Sequence, residues 1–133
     1  MTTPFWCLLI MVIIPYIIAG VTAYFRVNQL GSVDVKSPRE QALELKDAGS
    51  RAVAAQQNTW EAVAVFGSAV IIAHLAGADA ATSATLAMVF IVARILHPIF
   101  YIMNMPPLRT LSFVVGFGCC IWLFVLAAGT TAA

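Results

Sequence analysis

Charge is what this 133-residue sequence has least of. Seven Lys or Arg and six Asp or Glu make up 10% of it, against about 25% in an ordinary soluble domain. So few charges cannot clothe a water-facing surface. With 62% hydrophobic residues and a mean hydropathy of +0.94, the expected solvent is a lipid bilayer. The net charge is only +1 and no basic run occurs, so nucleic acid is not an expected partner. Cysteine is scarce as well. Cys7, Cys119 and Cys120 all lie in apolar stretches, Cys119 and Cys120 are adjacent, and no CxxC is present. Adjacent cysteines have poor disulfide geometry, so all three read as small packing residues and no metal site is expected. Residues 1–3 carry no Lys or Arg, and the apolar run behind them is longer than the core of a signal peptide. An uncleaved first membrane helix is the expectation.

What is present is four long apolar runs. They predict spans over about residues 4–26, 52–77, 80–104 and 108–129, in one domain covering 1–133, with a polar loop over about 27–50. The fold class is therefore all-α, an integral membrane four-helix bundle. Pro15 and Pro98 should each bend a span. Tyr16 and Tyr24 suit an interface or a helix contact, and Arg26 closes the first span. In the loop, Ser37-Pro38-Arg39-Glu40 reads as a helix start, with Ser at the N-cap, Pro at N1 and Glu at N3. That helix should run to about Lys46, with Gly49 as a stop. Residues 77–79, Gly-Ala-Asp, make a short turn. In the fourth span Gly116, Gly118 and Cys119 offer a thin face for close packing.

Loop charge gives an expected orientation. Arg26, Lys36, Arg39, Lys46 and Arg51 fall in or beside the first connection, and Arg109 lies near the third. The second connection and both termini have no Lys or Arg. The positive-inside rule then puts both termini on the non-cytoplasmic side. Short loops point to a bacterial inner membrane.

The third span carries the polar exception. Residues 93–110 read ARILHPIFYIMNMPPLRT, and Arg94, His97 and Tyr101 are spaced three and four apart, on one helical stripe. An arginine deep in a bilayer costs at least about 2.5–3.5 kcal/mol, so the stripe faces protein or water. Asn58 and Glu61 share a face of the second span. With Tyr101 and Arg109 they lie near the cytoplasmic end, and Arg94 lies about 10 Å deeper than Tyr101, at roughly 1.5 Å per residue. Each residue has a plain reading too. Arg94 and Glu61 suit an ion pair holding the bundle, Asn58 a helix cross-link, and His97 a satisfied interior histidine. Tyr101 suits an interface belt, Arg109 a positive-inside anchor, and His74 a structural contact. Only the residue types favour a His74–His97 haem pair. A four-span exporter coupled to protons through Glu61 fits the chain length but not the Arg94 stripe or the charged first loop.

The motifs carry a resemblance. Gln57-Asn58-Thr59-Trp60-Glu61 with Phe66 beyond resembles the second-helix Asn-x-x-Glu motif of the MAPEG family, the membrane-associated proteins in eicosanoid and glutathione metabolism. Arg94-Ile95-Leu96-His97 with Tyr101, then Arg109 after a proline-containing turn, is similar to that family's third-helix motif and fourth-helix start. The resemblance implies a homotrimer of four-helix bundles, with glutathione held between subunits near the cytoplasmic face. It implies a transferase or peroxidase acting on hydrophobic electrophiles, with Arg109 as the catalytic residue that holds the sulfur as thiolate. Asn58, Glu61, Arg94, His97, Tyr101, Thr110 and Arg26 would contact glutathione. Three positions depart from the pattern. Gln57 stands where several catalytic relatives have arginine, Phe113 where some have an aromatic hydroxyl, and the turn before Arg109 is shorter and less basic. These departures leave room for a non-catalytic subunit or binding protein of the same fold.

Overall fold

The apolar runs become four long helices in the computed structural model, which describes residues 1–130. Helix α1 spans Thr3–Leu30, α2 Pro38–Glu44, α3 Asp47–Leu75, α4 Ala80–Ile102 and α5 Pro106–Gly129. All but α2 are long and apolar enough to cross a membrane. Tight connections make successive long helices antiparallel. The polar loop with α2 therefore lies at the same end as the α4–α5 turn, and the 77–79 turn lies at the other. Helices α3 and α4 pack together, and α1 and α5 each pack against both.

Small and aromatic residues set the packing. Phe66 of α3 and Phe90 of α4 stack at 3.8 Å between centroids, with planes 9° apart. Met11, Ala69, Val70, Ala87 and Leu123 close around them, all buried. The outer surface stays apolar, with Ile17, Val92, Val114 and Trp122 more than half exposed. In water that surface would drive aggregation; in lipid it costs nothing, and contact between the helices rests on packing and polar bonds.

Helix ends follow the sequence with four differences. First, α1 runs four residues beyond the expected end, because Val27 to Leu30 continue the turn until Gly31 adopts φ 86° and donates its N–H to the Val27 carbonyl at 3.0 Å. Second, Gly49 is not a stop. It lies in the first turn of α3, where an added Cβ would sit 2.9 Å from the Gln29 amide nitrogen. That amide brackets Lys46, accepting from its N–H at 3.0 Å and donating to its carbonyl at 3.1 Å. The loop is thus pinned to the end of α1, and α3 starts at Asp47, earlier than expected. Third, Ser37 makes no side-chain cap. The Asp34 carboxylate takes the N–H groups of Lys36 and Ser37 at 2.7 and 3.1 Å, and the Gln41 amide spans Asp34 and Ser32. These bonds fold the loop against the start of α2 without a serine cap. Fourth, Gly118 is exposed with open space beside it, so of the three small residues only Gly116 and Cys119 face the packed interior.

The remaining ends agree. Asp79 caps α4 by accepting the Thr82 N–H at 2.8 Å. Prolines open α1, α2 and α5. Pro15 and Pro98 sit buried inside continuous helices.

Candidate functional site

A guanidinium taken out of water needs acceptors. Arg94, on the inward stripe of α4, is 2% exposed. Its Nη2 donates to the Asn58 carbonyl at 3.0 Å and to Asn58 Oδ1 at 2.8 Å. The Asn58 amide in turn reaches Glu61 Oε2 at 3.5 Å, at the long limit of a hydrogen bond. The expected Arg94–Glu61 pair is therefore relayed: Arg94 meets asparagine, and Glu61 is joined to it only through that side chain. Arg94 Nε is buried without a partner.

Helix α5 admits the arginine by having no side chain at Gly116. A Cβ there would lie 3.2 Å from Arg94 Cδ and 3.6 Å from a Phe90 ring carbon. Gly116→Ala asks the stem to yield by a few tenths of an ångström. Gly116→Val is expected to cost about 1–3 kcal/mol by overpacking, read as a lower unfolding midpoint in detergent.

Beside this relay lies a cleft of about 150 Å³. Asn58, Glu61 and Val65 line it from α3, Phe90 and Arg94 from α4, and Phe113, Phe117 and Cys120 from α5. One edge is polar and charged, and the wall opposite is aromatic. Phe113 and Phe117 lie parallel, 6.0 Å apart, and both are more than one-third exposed.

A second group adjoins it toward the α2 end. The Arg109 guanidinium carbon stands 4.5 Å from the centroid of the Tyr101 ring, a cation–π contact. His97, 2% exposed, lies 5.7 Å from Tyr101 and 6.3 Å from Phe113 between ring centroids, and its Nδ1 has no partner. Phe113 thus touches both groups, facing the cleft on one side and His97 on the other. The fold brings Asn58, Glu61 and Arg94 together, and His97, Tyr101 and Arg109 together, as neighbours. Thr110 follows Arg109 in the first turn of α5 and is exposed. Arg26 lies near the end of α1, outside the cleft, with its Nε buried and unpartnered.

Sequence reasoning missed three contributors. Phe117 and Cys120 follow Phe113 at offsets of four and seven, a helical stripe that was legible once Phe113 had been singled out. Arg51, read as a loop charge, donates its Nε to the Ile102 carbonyl at 3.0 Å and ties α3 to the last turn of α4. A cation near a helix C-terminus is favourable there. His74 lies at the other end of the bundle, edge-on to Phe5 at 5.0 Å and sharing a cavity with Ala80. His97 is seventeen residues further along α4, about 25 Å at roughly 1.5 Å per residue, so the two histidines cannot hold one haem.

The comparisons with known proteins follow the same lines. The MAPEG family model matches residues 3–129. No curated protein and no solved structure matches the chain. With nearly the whole sequence matched, four helices fit to cross a bilayer and no strand among the described residues, the chain belongs to the MAPEG family of integral membrane proteins.

Proposed function

We propose that this protein is a glutathione-dependent transferase or peroxidase acting on hydrophobic electrophiles. The observation that carries the reading is the cleft between α3, α4 and α5, with the Arg94–Asn58–Glu61 relay on one edge and the Tyr101–Arg109 pair beside it. Glu61 accepts from the peptide's ammonium group, and arginines take its carboxylates. Arg109 stands in the first turn of α5, where the helix dipole also favours an anion. There it holds the thiol of glutathione as thiolate. The thiolate sulfur attacks an electrophilic carbon, a thioether forms, the leaving group departs with the bond pair, and the thiol proton passes to water. The aromatic wall and the lipid around it receive the apolar electrophile.

Glu61 is exposed on one chain, one residue before the apolar part of α3. Lipid tails cannot cover a carboxylate, so a neighbouring copy covers this flank, in a homotrimer whose subunits share the glutathione site. The charged loop faces the cytoplasm of a bacterial inner membrane and the termini face away from it.

A non-catalytic membrane subunit or binding protein is the second reading. It is favoured by exposed Gln57, which supplies no cation at the rim, and by Phe113, which brings no hydroxyl to the cleft. Detergent-purified protein, given millimolar glutathione and a halonitroarene, decides between them. Saturable heat of binding with thioether formation supports the enzyme. Binding without thioether or hydroperoxide turnover supports the subunit. No binding at all sinks both.

A further inference from the structure

We propose that the end of the bundle away from α2 holds a second site, for a small uncharged aromatic molecule bearing a hydroxyl or carbonyl oxygen. The site is a cavity of about 240 Å³ where α1, α3, α4 and α5 meet the 77–79 turn. Phe5, Val70, Ala73 and Leu123 give it an apolar wall, and Ser83 and His74 its principal polar groups.

Ser83 is the observation that points to a ligand. Its residue is 7% exposed, and its Oγ is buried with no partner. The other buried helical hydroxyls here turn back on their own helix. Thr22, Thr59 and Ser112 donate to carbonyls three or four residues earlier at 2.8, 2.7 and 2.9 Å. Ser83 forgoes that bond and lines the cavity instead. Leaving a buried hydroxyl unmade costs about 1–3 kcal/mol, so an occupant that bonds to it gains in proportion.

The walls set the occupant's class. An apolar cavity of about 150 Å³ accepts a benzene-sized molecule, and this one is larger. His74 and Phe5 already stand edge to face, an aromatic corner open to a third ring. The lining favours a neutral occupant. Residues 1–25, 52–93 and 110–133 contain no Lys or Arg, so neither side chain is at hand to clamp an anion here. A hydroxyl both donates and accepts, so a phenol or a quinone-type carbonyl satisfies Ser83 equally. The site stands some 20 Å from the Arg94 cleft region by helix length, at roughly 1.5 Å per residue, and does not depend on the glutathione reading.

The test uses 4-fluorophenol and fluorobenzene, followed by fluorine NMR on the whole protein in detergent. Ala80→Trp, at the exposed rim, is the blocked reference, with Ala78→Phe as a second blocking variant should the first fail to fold. Wild-type protein is expected to bind 4-fluorophenol saturably and about three- to tenfold more tightly than fluorobenzene, the span of one hydrogen bond. Ser83→Ala should erase that preference while keeping fluorobenzene binding, and its unfolding midpoint should not fall. The blocking variants should lose both ligands and leave any response to glutathione unchanged. Equal response in wild-type and blocked protein means partition into detergent alone and overturns the site. So does a phenol preference that survives Ser83→Ala.

Discussion

Asn58→Leu is expected to destabilise the bundle more than Arg94→Met, by roughly 3 kcal/mol against less than about 1.5 kcal/mol. The order follows from which group is stranded. Arg94 is 2% exposed and already has an unpartnered Nε. Removing Asn58 Oδ1 leaves the guanidinium only a backbone carbonyl, which also serves the α3 ladder. Breaking a buried charged contact from one side costs about 3–5 kcal/mol, because the remaining charge keeps its desolvation penalty. A neutral bond between membrane helices averages only about 0.6 kcal/mol, so a small effect would mean that the charge is satisfied elsewhere. Arg94→Met removes the charge itself and fills the slot over Gly116 with an apolar stem of similar length. The half-buried Asn58 amide it leaves behind still has Glu61 to turn to. The double variant should recover most of what Asn58→Leu loses, a coupling readable in a double-mutant cycle of unfolding in detergent. Equal losses from the two single variants would show that Asn58 is not what keeps Arg94 in the membrane.

That relay also marks where the sequence stops being legible. Four spans and one inward stripe could be read from run length and from offsets of three and four, because lipid admits few alternatives. The partner of Arg94 could not. Asn58 and Glu61 share a face of α3, and either can meet a cation on α4; which does so depends on how far α3 is rotated and how deep it sits, and that follows from packing against three other long helices, the Phe66–Phe90 stack included. Gly116 and Gly118 are about 200° apart around a helix, so only the packing of α4 decides that Gly116 is the one beneath Arg94. The loop misled for another reason. Ser37, Pro38 and Glu40 form a sound local start, but Asp34 takes the Ser37 N–H that Glu40 would reach in a capping box. Gly49 looked like a break because its neighbour Gln29 lies twenty residues earlier, beyond the reach of any local pattern.

Arg109→Ala is expected to move the pH midpoint of glutathione conjugation upward, from about 6.5 toward the free-thiol value near 8.5. A cation beside the sulfur favours the thiolate, so the rate climbs with pH and levels off once the bound thiol has ionised. At pH 7 a thiol of pKa 8.5 is only about 3% ionised, and one lowered by two units about 75%, a ratio of roughly 25. Stabilising an anion also blunts it. A nucleophilicity that falls with about half the pKa change takes back up to about tenfold. The net loss at pH 7 should therefore lie between about 3- and 25-fold, and above about pH 9 the variant should match or overtake the wild type. Crossing curves identify ionisation as the role of Arg109. A uniform drop at every pH would assign it to holding a carboxylate instead. Tyr101 separates position from charge. Tyr101→Phe keeps the ring beneath the guanidinium and should leave the midpoint in place, whereas Tyr101→Ala removes the 4.5 Å contact and should move it part of the way toward that of Arg109→Ala.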